Sequence, residues 1–275
     1  MAAIATFFGI IVRFIYKLVG GNYLITILLF TLLTKLLLLP LTIGQIKSTE
    51  KMKKIAPMDK KIREKYKNDK QKQAEELTKL YSENKINPAG GCLPLLIQIP
   101  LVLAMFYIVK QPLTYITQTP VEQIKVYTQE VLNKEEVTQN EMNANEILVA
   151  NQKDIINMSV TEHINLGDVP ANTFSKDESK KVSPLTLLVP ILSVIFSIIQ
   201  TKVTQKGQQM TDEQKEMQKS MNLMTPLLSA SISYTMPIAL GVYWLFGNIL
   251  SIIQQMLINK FVLKIDSKLT LDKGE

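Results

Sequence analysis

Residues 23–44 read YLITILLFTLLTKLLLLPLTIG, an apolar run long enough to cross a bilayer and charged only at Lys35. Placing an unpaired ammonium at mid-bilayer costs roughly 2.5–3.5 kcal/mol even on the mildest scales. Such a group persists where it faces water, a polar partner or a substrate within the membrane. Lys35 lies ten residues before Gln45, about 15 Å along a helix from the inner interface, and a lysine stem spans less than half of that. Snorkelling is thus a poor account of Lys35, and the run predicts a wet intramembrane site.

The remaining composition fits this class. Of 275 residues 47% are hydrophobic and only 7% aromatic, with a formal charge of +7. The apolar residues come in long aliphatic runs separated by lysine-rich polar stretches, the pattern of a polytopic membrane protein. The positive charge then reads first as membrane orientation. Cys92 is the single cysteine, which excludes an internal disulfide and a cysteine metal cluster. His163 is the single histidine and falls in a polar loop. The expectation is no catalytic residue, no metal and no cofactor, and Cys92 beside Gly90 and Gly91 reads as close helix packing.

Five apolar runs predict five transmembrane helices: 22–44, 92–115, 184–202, 221–235 and 237–259. The third is about 25 Å long and the fourth shorter, against a hydrocarbon core of roughly 30 Å, so the bilayer should thin around them. Residues 1–20 predict an amphipathic helix lying in the outer interface. Thr6, Gly9, Arg13 and Lys17 share one face, and Phe7, Phe8, Ile11 and Phe14 turn toward lipid; a further span is the competing reading. Gly20-Gly21-Asn22 should end this helix.

Residues 45–90 hold thirteen basic and seven acidic side chains, while 116–183 hold six basic and eleven acidic ones. The positive-inside rule puts the first segment in the cytoplasm, the second outside, the N-terminus outside and the C-terminus inside. The cytoplasmic loop 203–220 and the basic tail 260–275 agree. Within 45–86, strong helix formers on either side of Lys67-Asn68-Asp69-Lys70 predict a thin helical hairpin. Ile46, Met52, Ile55, Met58, Ile62 and Tyr66 should face Leu77, Leu80 and Tyr81, leaving a charged surface for an anionic partner. Segment 116–183 shows little periodicity and receives no function. Asn157-Met158-Ser159 reads as a chance sequon, and the lack of a lipobox-like cysteine predicts no lipid anchor.

Asn87-Pro88-Ala89-Gly90-Gly91-Cys92-Leu93-Pro94-Leu95-Leu96-Ile97-Gln98-Ile99-Pro100 resembles the most recognisable segment of the YidC-type membrane protein insertases. The polar hairpin KIREKYKNDKQKQAEELTKLYSENKIN before it, and MPIALGVYWLFGNILSIIQQ near the end, are similar to that family's first cytoplasmic loop and closing hairpin. The resemblance covers residues 22–115 and 185–260. It implies a five-span insertase without a large periplasmic domain, with Pro88, Gly90, Gly91, Pro94 and Pro100 as the structural motif. It also implies a hydrophilic groove open to cytoplasm and lipid and closed to the outside. The family's groove arginine corresponds to Lys35, after Thr34 and five residues before Pro40. Lysine keeps the charge and loses the planar fork of donors.

The resemblance places Lys35 in the substrate groove, and position along the spans adds Thr34, Gln98, Gln200, Tyr243 and Trp244 as expected groove residues. Gln98 and Gln200 could instead bond neighbouring helices, and Trp244 could belong to an aromatic belt, although it lies about 10 Å inside Pro237. No phosphate-cradling glycine loop is present, so insertion is expected to be ATP-independent. Implied partners are nascent membrane proteins, the ribosome at the basic hairpin and tail, the Sec translocon and the lipid bilayer, with a functional monomer. Two rival functions remain: an assembly factor beside a translocon without autonomous insertion, and an anion transporter. The latter should show inverted repeats with paired broken helices, which the sequence lacks.

Overall fold

A helix starts at Ala2 because small and aliphatic residues run on without a breaker until two glycines stop it. The computed structural model describes residues 2–85, 93–205 and 212–263. Helix α1, Ala2–Leu18, ends at Gly20 and Gly21, whose φ values of 66° and 82° lie in the left-handed region that glycine tolerates best. Asn22 then caps α2, its Oδ1 accepting from the Ile25 amide at 2.9 Å. Helix α1 exposes Phe7, Ile10, Phe14 and Leu18 and buries Ala5, Val12 and Ile15. Phe8 and Ile11, expected on the lipid side, pack on the core instead, Phe8 edge-on to Phe30 at 5.9 Å. Gly9 is likewise not on an open polar face. A Cβ there would stand 3.2 Å from the Tyr115 carbonyl oxygen, so the missing side chain lets α1 approach.

The run expected as one span over 22–44 is broken. Helix α2, Tyr23–Leu37, and α3, Leu39–Lys65, meet at Leu38 with a bend of 55°. Pro40 supplies the reason: it has no N–H to continue the ladder, and its ring crowds the carbonyl four residues back. Helix α4, Lys70–Glu83, is capped by Asp69 and packs along α3. Ile55 and Leu80 form the hairpin core with Met52, Ile62 and Tyr81 against them. Met58, expected inward, is 57% exposed. Its place is taken by Asp59, only 3% exposed, which accepts from Arg63 Nε at 2.6 Å and from the Tyr81 hydroxyl.

Helix α5, Leu93–Lys110, contains Pro100 and leads into a wide π turn, Leu113–Thr117. Segment 116–183 is more ordered than its sequence suggests. It holds α6, Val121–Leu132, and α7, Gln139–Gln152, the latter opened by a capping box of Thr138 and Glu141. A short antiparallel pair follows, β1 (Ser159–Thr161) with β2 (Ile164–Asn165). These elements share one apolar core with the helices before and after them: Met142, Val149, Met158 and Leu166 join Val12, Phe30, Met105, Ile108 and Leu240. Glu146 is 1% exposed within α7, and its carboxylate accepts from Thr114 N at 2.9 Å and Thr114 Oγ1 at 2.6 Å. Burial pushes the Glu146 carboxyl up from its ordinary value, against the hydrogen bonds that favour its charged form.

The last three helices are α8, Leu188–Gln205, α9, Asp212–Thr235, and α10, Ile238–Leu257. Helix α10 packs on α8, α9 and α2. Its first free amides are satisfied by the preceding segment, Ile238 N donating to Asp168 O at 2.8 Å and Ala239 N to Leu166 O at 2.9 Å. Small residues let the three helices close. Ser193 and Ser197 of α8 and Ser229 and Ser233 of α9 are buried, and Gly241 of α10 meets Val189.

The polarity of α8 is inverted relative to a water-soluble helix. Its buried residues are Pro190, Ser193 and Ser197, while Leu188, Ile191, Leu192, Ile195, Ile198 and Ile199 are exposed. An outward aliphatic face over an inward serine seam is what a lipid solvent selects. Among the described residues, two helices, Pro184–Gln205 and Ile238–Phe261, are long and apolar enough to cross a membrane. A third joins them if the bent α2–α3 pair counts as one span. The apolar helix Ile99–Lys110 is shorter.

Candidate functional site

Lys35 sits in the last turn of α2 and reaches α10. Its Nζ donates to Ser251 Oγ at 2.7 Å, and Ser251 Oγ donates in turn to the Gly247 carbonyl at 2.8 Å. Gln254 Nε2 donates to the Lys35 carbonyl at 2.9 Å. Gly247 faces the lysine stem, where a Cβ would lie 3.9 Å from Lys35 Cε and 4.0 Å from Thr31 Cγ2, an ordinary contact. Among the described residues no carboxylate pairs with Lys35.

The other polar groups of α2 are turned back on their own helix. Thr31 Oγ1 donates to Ile27 O at 2.7 Å, and Thr34 Oγ1 to Thr31 O at 2.8 Å. Thr34 is buried beside Lys35 with its hydroxyl hydrogen already used. Such back-bonding satisfies a hydroxyl in an apolar setting, which leaves Lys35 as the one cationic group on this part of α2.

The remaining predicted groove residues are less tightly gathered. Gln200 is half-buried on α8, where its carbonyl accepts from Thr204 Oγ1. Trp244, half-buried on α10, donates its indole N–H to Ser229 Oγ at 2.8 Å and so ties α10 to α9. Tyr243, one residue earlier, is 4% exposed and packs into the apolar core. Pro100 lies inside α5. Pro88, Gly90 and Gly91 lie outside the described residues, as do the side chains of Pro94 and Gln98.

Ser251, Gln254 and Gly247 are site residues that sequence reasoning passed over. Their signal was present. Trp244, Gly247, Ser251 and Gln254 recur at steps of three and four, a small and polar stripe along an otherwise apolar helix, with Asn248 beside it. The side-chain amide nitrogen of Asn248 is buried without a partner. Arranged this way, α2 and α10 hold one positive charge inside an apolar bundle with a hydroxyl, not a counter-ion, as its neighbour. That arrangement suits attraction of an anionic group; among the described residues no group of acidic, cysteine or histidine side chains could hold a metal.

Known proteins place this architecture. Relatives named membrane protein insertase YidC include one from Clostridium perfringens, 52% identical over 90 residues, covering 33% of this chain and 38% of that protein. Another, from Fusobacterium nucleatum, is 48% identical over 90 residues, 33% of this chain and 44% of its own. A third, from Clostridium tetani, is 44% identical over 109 residues, 38% of this chain and 50% of its own. The alignment thus spans half or less of the length of each of these three relatives. The profile described as 60Kd inner membrane protein matches across residues 14–266, from within α1 to beyond α10. With the lipid-facing helices and the charged α2–α10 site inside the matched region, the chain belongs to the 60Kd inner membrane protein family.

Proposed function

We propose that this chain is an ATP-independent membrane protein insertase. It carries short polar segments of nascent membrane proteins across the bilayer along a hydrophilic groove that opens to cytoplasm and lipid. The observation that carries this reading is Lys35: a cation held between α2 and α10 by Ser251, with no paired carboxylate among the described residues. Five spans, 22–44, 92–115, 184–202, 221–235 and 237–259, put the N-terminus outside and the hairpin 45–86 and the tail in the cytoplasm of a bacterial cell. The exposed apolar faces of α8 and α10 support lipid contact.

Insertion proceeds in three steps. The basic hairpin and tail meet the nascent chain, with the ribosome docked on them through its polyanionic RNA. The substrate's polar outer tail then enters the groove, where Lys35 attracts its acidic residues and Thr34, Gln98, Gln200 and Trp244 line the path, backed by Tyr243. Finally the apolar span moves along the third and fifth spans into lipid. Hydrophobic transfer drives this step, aided by the membrane potential where a charge crosses. Short spans thin the bilayer and shorten the polar crossing.

The test is reconstitution of the full chain alone in liposomes, with a short single-span substrate bearing an acidic outer tail and protease protection of that tail as the readout. Insertion well above empty liposomes, lost in Lys35→Leu and kept in Lys35→Arg, is the expected result. Insertion no better than empty liposomes would refute an autonomous insertase and favour an assembly factor that needs a translocon.

A further inference from the structure

One turn of α10 holds residue 35 by two different atoms. Ser251 takes the ammonium and Gln254 takes the main-chain carbonyl, at 2.7 and 2.9 Å. Three residues apart on a helix, the two side chains lie on one face. Each contact answers a separate need created by the bend at Leu38.

The carbonyl comes first. As α2 stops at Leu37 its carbonyls begin to run out of amides: Thr34 O still accepts from Leu38 N at 3.0 Å, while Lys35 O accepts from Gln254 Nε2. Inside an apolar bundle a carbonyl without a donor is costly. Gln254 supplies that donor from across the helix pair, so the bend enforced by Pro40 is stabilised on the α10 side.

The ammonium has a competing destination. A lysine in the last turn of a helix can fold back onto the free carbonyls of that same turn, which favours positive charge. Ser251 diverts it. By giving its own hydrogen to the Gly247 carbonyl, the serine turns its lone pairs toward Nζ and acts only as an acceptor. The ammonium has three hydrogens and one acceptor, Ser251 Oγ, so it points toward α10 with donor capacity to spare. Asn248, one turn before Ser251, adds a buried amide nitrogen that lacks an acceptor. Unspent donors on both sides of the contact match a carboxylate.

We infer that Ser251 and Gln254 are positioning residues that hold Lys35 turned into the α2–α10 contact, where it selects substrates with acidic outer tails. This rests on the insertase reading above. Lysine makes the positioning necessary, since it lacks the preformed fork of an arginine and its single point charge must be aimed by its surroundings.

The experiment uses the full chain in liposomes with two substrates, one with an acidic outer tail and one with every carboxylate of that tail changed to its amide. The readout is the ratio of acidic to amide insertion. Ser251→Ala and Gln254→Leu should each lower that ratio by about tenfold, the loss of one charge-assisted contact expressed as a rate or equilibrium ratio. Ser251→Thr, which keeps the hydroxyl, should restore it. A second measurement needs no substrate: acylation of Lys35 by a membrane-permeant reagent should quicken in Ser251→Ala and stay at the parent rate in Ser251→Thr.

An unchanged ratio in Ser251→Ala, with both substrates falling together, would show a merely structural serine and overturn the inference. So would an acylation rate that ignores the substitution. If the parent inserts neither substrate while acylation still responds to Ser251, the positioning stands and the insertase reading falls.

Discussion

Glu146→Ala should weaken the joint between the π turn Leu113–Thr117 and α7 by about 3 kcal/mol, and Glu146→Gln by no more than about 1 kcal/mol at neutral pH. The carboxylate is 1% exposed and is the acceptor for both donors of Thr114, N at 2.9 Å and Oγ1 at 2.6 Å. Alanine removes both acceptors where water cannot replace them. The hydroxyl can rotate to another partner but the amide cannot, and stranding it costs ~1–3 kcal/mol. One buried methylene is lost as well, at ~0.8 kcal/mol. Glutamine keeps the shape: its carbonyl can accept from the amide and its NH2 can donate to the hydroxyl oxygen. The two variants also differ in pH response. Burial raises the Glu146 carboxyl above its ordinary value of 4.5, so the folded chain holds that proton more tightly than the unfolded one. Between the two pKa values the folded state binds more protons, and stability falls as pH rises through that window. Below the ordinary value this penalty is absent; above the folded-state value it is complete and flat. Thermal unfolding of the full chain in nanodiscs, followed from pH 4 upward, gives the assay. Subtracting Glu146→Gln from the parent isolates the slope of this one group from the other acidic residues. A Glu146→Ala melt equal to the parent's, or a parent-minus-glutamine difference that does not change with pH, would refute the argument.

Three other perturbations probe separate joints. A Cβ at Gly241 would stand 2.8 Å from Val189 Cγ1, so Gly241→Ala should part α8 from α10 at about 1–3 kcal/mol; Val189→Ala should recover most of the loss, and simple additivity in the double variant would count against the clash. Asp59→Ala strips Arg63 and Tyr81 of a shared buried acceptor, and amide exchange across α4 should quicken by about tenfold; unchanged protection would mean that Ile55 and Leu80 suffice. Pro40→Ala returns an N–H to the break at Leu38, so the bend of 55° should open. Spin labels at Leu29 and Lys51 should move apart; a constant distance would assign the bend to packing on α10 instead of the proline.

Much of the helical framework could be read from apolar run length, and the charge in the first run led directly to Lys35. What escaped did so for definable reasons. The break at Leu38 lies within unbroken leucines, and Pro40 is compatible with either a kinked continuation or a stop; packing of α10 against residue 35 helps decide. Helix α7 hides its period because its inward stripe, Met142, Glu146, Val149 and Ala150, contains a carboxylate and an alanine. The capping box at Thr138 and Glu141 was the better clue to it. Phe8 and Ile11 were assigned to lipid because aromatic and aliphatic residues surround α1, and hydrophobicity alone does not say which side meets protein and which meets lipid. The same ambiguity hid Ser251. Its stripe was visible, but its partner lies 216 residues away, and no local pattern names a partner at that range.

Helix α10 connects parts of the chain that the sequence suggested were separate. At its start, Ile238 and Ala239 donate to carbonyls of Asp168 and Leu166 in segment 116–183. Thirteen and sixteen residues further on, Ser251 and Gln254 grip Lys35, about 20 Å along the same rigid rod. Segment 116–183 also buries Met158 and Leu166 in the core that receives Tyr243 and Phe30. Its removal would strip α10 of two amide acceptors and much of its apolar support together. The segment therefore has a physical role whether or not it touches a substrate: it helps fix the register of the helix whose far end holds Lys35, the one cation of α2. A rotation of α10 by one residue, about 100°, would carry Ser251 off Lys35. The hydrogen bonds at its first turn oppose that rotation, which makes segment 116–183 part of the site's construction.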